Sequence, residues 1–219
     1  QSRKNSKRGK EKYEQDKAYW LDRVEDFPHA PQLPANGKPV GSEIIQFNKL
    51  IDREQKERLV RRAGKNHITP SALILAAYAQ VIARWSDTER FALNITKMDR
   101  PQVQIVGDFT DVIVLESDFS ENLSFIGNAK KLQNRLWSDL EHSSYSGIDF
   151  LRELNRRRKE PMIVPIVYTS TLGVENAAAE KKYELVYEIS QTPQVWIDCQ
   201  VSERNGGIYI NWDVRKGIF

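Results

Sequence analysis

An α/β fold, a mixed sheet with packed helices, is expected from three features of this 219-residue sequence. The segment SALILAAYAQVIARW (71–85) is apolar almost all round, the pattern of a helix buried inside a domain. Short runs rich in β-branched residues alternate with helical patterns, FTDVIVLESDF (109–119) being the clearest. Near the end, RNGG (204–207) separates two alternating runs, a strong hairpin signal. No glycine-rich phosphate loop of either standard spacing occurs, which argues against a Rossmann domain and against ATP or NAD chemistry.

Each element has its own justification. Residues 9–25 read as a charged helix carrying Tyr19, Trp20 and Val24 near its end. FPHAPQLPANGKPVGS (27–42) holds Pro28, Pro31, Pro34 and Pro39, so it is an extended connector. EIIQFNKL (43–50) reads as a strand, and 51–66 as a surface helix whose Glu54–Arg58 and Glu57–Arg61 spacings set opposite charges one turn apart. Thr69 can cap the apolar helix, with Pro70 at its first position. ERFALNIT (89–96) and 109–119 are strands, and Ser120 is the expected cap of a helix reaching about Glu141. The run 148–158 resumes as a helix with a basic end, which suits the dipole. MIVPIVYTST (162–171) is a strand interrupted by Pro165, the signature of an edge or a bulge. YELVYEIS (183–190), QVWIDCQVSE (194–203) and GIYINWDV (207–214) complete the strands, the last standing at an apparently open edge near the chain end.

Charge is local. Residues 1–12 carry six Lys/Arg against one Glu, whereas the whole chain has a net charge of +3, so the body is close to neutral. A nucleic-acid protein would carry basic charge along its body, so no nucleic-acid partner is expected. Cys199 is the single cysteine, which excludes an intrachain disulfide and a thiolate cluster, and the three histidines lack metal-ligand spacing. The longest uncharged apolar run, Pro70 to Ala83, is shorter than the roughly 18 residues that span a bilayer. With no signal peptide at the start, a soluble, cytoplasmic, metal-free protein without a membrane partner is expected.

One residue resists this bland account. In the run 194–201, Val195, Ile197, Cys199 and Val201 alternate with Gln194, Trp196, Asp198 and Gln200, so Asp198 shares a strand face with a tryptophan. Strands are depleted in Asp. A solvated outer face is one explanation, and a positioned carboxylate is the other. Cys199, on the apolar face, reads as a small buried hydrophobe. His142 followed by Ser143 and Ser144 falls at a helix break and lacks triad geometry. Asp108 reads as a turn residue near Thr110, and Trp137 and Tyr145 as core aromatics.

Five segments taken together resemble the heterocyclization domains of nonribosomal peptide synthetases, relatives of the condensation domains with the chloramphenicol-acetyltransferase-like fold. They are 69–86, FALNITKMDRPQVQIVGDFTDVIVLESD (91–118), LWSDLEHSSYSGIDFLREL (136–154), PIVYTSTLG (165–173) and SQTPQVWIDCQVSERNGGIYINWD (190–213), in the family's order. All belong to the second of the family's two lobes. No two aspartates show the D-x4-D spacing and no two histidines adjoin, so the resemblance implies the C-terminal lobe, spanning 43–219 and entered through 1–42.

The resemblance also implies an activity. Such domains join a carrier-bound acyl group to carrier-bound Cys, Ser or Thr and then cyclodehydrate the product to a thiazoline or oxazoline. It implies catalytic roles for Asp198 and Thr169, and substrate contacts from Asn94, Gln191 and Trp196. Asp198 beside Trp196 would be partly desolvated, which favours a carboxyl able to move protons near neutral pH. No directly bound cofactor or metal is implied, only the phosphopantetheine arms of upstream and downstream peptidyl carrier domains. The further partners are the N-terminal lobe and an adjacent adenylation domain, and the isolated lobe is expected to be inactive. An amide-forming lobe without cyclization and a carrier-docking module without chemistry are the alternative readings.

Overall fold

The computed structural model describes residues 7–35, 43–98, 109–173, 188–189 and 192–219. In chain order the elements are α1 (Lys7–Leu21), β1 (Ile44–Ile51), α2 (Arg53–Lys65), α3 (Pro70–Trp85), β2 (Arg90–Met98), β3 (Thr110–Asp118), α4 (Phe125–Glu141), α5 (Gly147–Arg157), β4 (Ile166–Ser170), β5 (Ile197–Arg204) and β6 (Gly207–Arg215). The strands form one six-stranded sheet in the order β1-β6-β5-β4-β2-β3. Strand β4 runs parallel to both of its neighbours, and every other pair is antiparallel. This is the mixed sheet with packed helices that the sequence predicts. Among the described residues no helix is long and apolar enough to cross a membrane, and no cluster of three metal-ligating side chains occurs.

Local signals set the helix starts. The Thr69 hydroxyl accepts from the Ala72 N–H with Pro70 beside it, as expected, and Asp52 with Gln55 forms a capping box on α2. The expected cap at Ser120 is wrong. Its N–H and hydroxyl both donate to Asp118 Oδ1 at 3.0 and 2.6 Å, holding it in a turn, and Ser124 caps α4 instead. Pro165 does not mark an edge: it precedes β4, which is central, because a residue without an N–H is tolerated just before the ladder begins. Nor is β6 an edge, since β1 pairs along its whole outer side. Trp137 is exposed rather than in the core, whereas Tyr145 is buried. The expected strand at 183–190 and the turn residue Asp108 lie outside the described residues, save for residues 188–189, which form no strand.

The core lies between the sheet and its helices. The Tyr78 ring of α3 meets Tyr168 of β4 at 5.9 Å and Trp212 of β6 at 5.3 Å, which seats this helix on the apolar face of the sheet. That helix is not buried all round, because Val81 and Trp85 in its last turns stay exposed. Residues 7–35 are part of the core rather than a mere connector: Trp20, Val24 and Phe27 are core residues, and Phe150 of α5 packs 4.8 Å from both Trp20 and Phe27. Buried Asp16 ties α1 to the turn before α5 by accepting the Ser144 N–H and hydroxyl.

Gly147 opens α5 where the helix meets β3. A Cβ there would stand 2.3 Å from the Val112 carbonyl oxygen, a backbone atom that cannot move aside cheaply. Gly147→Ala is expected to destabilise the fold by about 1–3 kcal/mol, read as a lower unfolding midpoint in denaturant. An unchanged midpoint would mean that α5 does not sit this close to the sheet.

Candidate active site

Because side chains alternate along each strand, the register fixes which residues share a face. One row runs straight across the sheet through Gln46, Asp213, Asp198, Val167 and Asn94. The adjoining row holds Asn48, Asn211, Gln200 and Thr169. On the opposite face the partners are Tyr168, Cys199 and Trp212, all turned toward α3. The sheet therefore has one apolar face in the core and one polar face. Over the polar face lies a cleft of about 650 Å³, with Asn94, Thr96, Thr169, Asp198, Gln200 and Asn211 in its lining. This volume is within the range of small-molecule sites.

Asp198 and Thr169 come together as expected. The Thr169 hydroxyl donates to Asp198 Oδ1 at 3.3 Å and lies 2.8 Å from the Thr96 hydroxyl. A hydroxyl has one proton, so with Thr169 donating to Asp198 it is Thr96 that donates to Thr169. The chain Thr96, Thr169, Asp198 thus points one way and ends on a carboxylate that is only 7 % exposed. Such an arrangement can hold the carboxyl in one orientation and present it to a proton on a bound reactant.

Asn94 stands two strands away. Its Nδ2 donates to the Val164 carbonyl at 2.7 Å, while its buried Oδ1 has no hydrogen-bond partner. An anchored amide with a vacant acceptor suits an incoming N–H. Gln191 lies outside the described residues.

The expected placement of Trp196 beside Asp198 is corrected. The N–H groups of Trp196 and Ile197 both donate to the Pro165 carbonyl, at 2.8 and 3.3 Å, so the chain is locally bulged and regular alternation starts only at Ile197. The indole packs 6.5 Å from Phe219, which shares an apolar pocket with Val81, Trp85, Ile197 and Trp212 on the α3 side. Trp196 is absent from the cleft, and Val195 lines it instead.

Sequence reasoning missed Asp213 and Gln200. The turn Asn205-Gly206, with φ of 52° and 76°, pairs Arg204 with Gly207. Counting outward from that pair in equal steps places Asp198 opposite Asp213. The hairpin signal therefore contained this contact. His142 is not paired with its neighbouring serines: its Nδ1 lies 2.8 Å from the Ser138 carbonyl and its ring stacks on Tyr19 at 3.9 Å.

The six-stranded mixed sheet with its packed helices is the chloramphenicol-acetyltransferase-like fold of peptide-synthetase condensation and cyclization domains. Residues 2–219 match the family described as "Condensation domain", and the chain belongs to that family. It is 37% identical over 218 residues to pyochelin synthetase PchF of Pseudomonas aeruginosa, covering 94% of this chain and 12% of that protein. It is 34% identical to phenyloxazoline synthase MbtB of Mycobacterium sp. (strain MCS), covering 94% of this chain and 19% of that protein. Among solved structures it resembles the EpoB cyclization-docking bidomain from Sorangium cellulosum with a TM-score of 0.83 and 33% identity, over 100% of this chain and 46% of that one. The chain thus spans less than a fifth of the curated relatives and under half of the bidomain.

Cys199 lies against the other face from the cleft. Burial, with the Asp198 charge behind it, pushes its thiol up to about 12, so the nucleophilic thiolate is suppressed. Alkylation at pH 8 followed by peptide mapping is expected to leave Cys199 unlabelled until the fold is unfolded in guanidinium. Rapid labelling of the folded protein would contradict this packing.

Proposed function

We propose that this condensation-family chain forms the C-terminal lobe of a heterocyclization domain, and that its polar cleft is one wall of the site where carrier-bound substrates react. The observation that carries the reading is the directed chain from Thr96 through Thr169 to buried Asp198. Motif order and the similarity to the cyclization-docking bidomain and to a phenyloxazoline synthase support it. On this reading the N-terminal lobe supplies the opposite wall. Phosphopantetheine arms of the upstream and downstream peptidyl carrier domains bring the reactants in, and an adjacent adenylation domain loads one of them.

The chemistry has two parts. In the first, the amine of carrier-bound Cys, Ser or Thr attacks the upstream thioester carbonyl, forming the amide and releasing the upstream thiol. In the second, the side-chain thiol or hydroxyl attacks the new amide carbonyl, and the tetrahedral species loses water to leave the ring. Asp198 removes the proton from the attacking group and returns it to the carbonyl oxygen; as the C=N bond forms, the amide nitrogen gives up its proton and the same carboxyl passes it to the departing hydroxyl, so the water that leaves carries one hydrogen from each group. Thr169 holds that carboxyl in line, and Asn94 Oδ1 accepts the substrate amide N–H.

General acid–base catalysis of this kind contributes about 10²–10⁴-fold. In the complete domain with both carriers loaded, Asp198→Ala is therefore expected to slow ring formation at least about 100-fold while the open-chain amide accumulates, read by intact mass of the carrier. Ring formation at the unaltered rate would remove Asp198 from the mechanism. Loss of the amide as well would point instead to an amide-forming role.

A further inference from the structure

Asp213 is directly opposite Asp198 on β6, and it is only 2 % exposed. Like charges directly opposite on neighbouring strands are destabilising, yet this pair is built into the polar row with its own set of donors. The Gln200 amide bridges the two carboxyls, its Nε2 donating to Asp198 Oδ2 at 3.1 Å and to Asp213 Oδ2 at 3.2 Å. Asn211 Nδ2 and Gln46 Nε2 donate to the other oxygen of Asp213, at 2.8 and 2.7 Å. Gln46 also donates to the Glu188 carbonyl at 2.7 Å. Asp213 is thus held by amides from three strands, whereas Asp198 faces the cleft and the Thr169 hydroxyl.

We propose that Asp213 is a positioning residue for Asp198: a second buried carboxylate that, through the Gln200 amide, fixes the orientation of Asp198. The inference rests on the reading of Asp198 as the group that serves ring closure. Its physical basis is that the Gln200 amide gives its N–H groups to both carboxyls, so Asp213 holds from one side the donor that Asp198 Oδ2 accepts from the other.

Among the described residues, the other titratable and charged groups near the pair make contacts of their own. Cys199 and Tyr78, across the sheet, are both kept neutral by burial. Glu188 meets the network through its main-chain carbonyl, Arg215 donates to the Pro193 carbonyl, and Arg204 lies over the Tyr209 ring at 3.9 Å.

The test uses the complete domain with both carriers loaded, comparing Asp213→Asn, Asp198→Asn and the double variant by intact mass across a pH series. Asparagine keeps the shape of Asp213 and removes its charge. Expected for Asp213→Asn is at least a tenfold loss in ring formation with amide formation within twofold. The pH profile of ring formation should change with it, because a charge beside Asp198 has been removed. In the Asp198→Asn background the second substitution should cause no further loss, because the effect passes through Asp198. Equal losses of amide and ring with a lowered melting temperature, an unmoved pH profile, or additive losses in the double variant would each overturn the proposal.

Should Asp213→Asn fail to fold, Gln200→Met removes the bridge and keeps both carboxyls, and its unchanged ring formation would overturn the proposal equally. If Asp198→Asn forms the ring at the original rate, the underlying reading of Asp198 fails. If only that variant is impaired, the role of Asp213 alone fails.

Discussion

The structure depends on the two-residue period of β5. This strand lies inside the sheet with β4 on one side and β6 on the other, so both of its edges are paired and both of its faces are constrained. Cys199 and Val201 face the core, and Asp198 and Gln200 face the cleft. A slip of one residue would put a carboxylate among Tyr78, Tyr168 and Trp212 and bring apolar side chains into the cleft. The register that makes a core on one side therefore makes a polar cleft on the other.

That surface is polar but not simply solvated. Asp198, Asn211 and Asp213 are buried, and groups with such desolvation penalties persist only with hydrogen-bond partners. The amides of Gln46, Gln200 and Asn211 and the hydroxyls of Thr96 and Thr169 provide them. These groups lie on β1, β5, β6, β2 and β4, so five strands must be in register before the carboxyls are satisfied. Site geometry and sheet assembly are in this sense one constraint, with β4 joining the β2–β3 pair to the β1–β6–β5 group.

Much of this was readable from the chain, for physical reasons specific to each element. Short-range patterns survived best: the Thr69-Pro70 helix start, the Asn205-Gly206 turn and the alternation through Ile197, Asp198 and Cys199. The proximity of Thr169 to Asp198 came from family resemblance, since parallel neighbours are joined by long crossovers and leave no local pairing signal. Errors arose where one local interaction displaced another. Asp118 captured Ser120 and moved the start of α4, and the shared Pro165 carbonyl broke the alternation just before β5, carrying Trp196 away from Asp198. The insertion of β1 beside β6 is a contact between distant segments, so the closing of that edge was not legible near the end of the chain.

The most direct measurement is a structure of the complete domain holding a carrier-tethered, non-cyclizable analogue of the open-chain amide. The account predicts the amide on the polar face of the sheet, with the position of its side-chain nucleophile about 3 Å from the Asp198 carboxyl and within reach of Thr169. An amide bound away from that face, or beyond hydrogen-bond reach of Asp198, would contradict it.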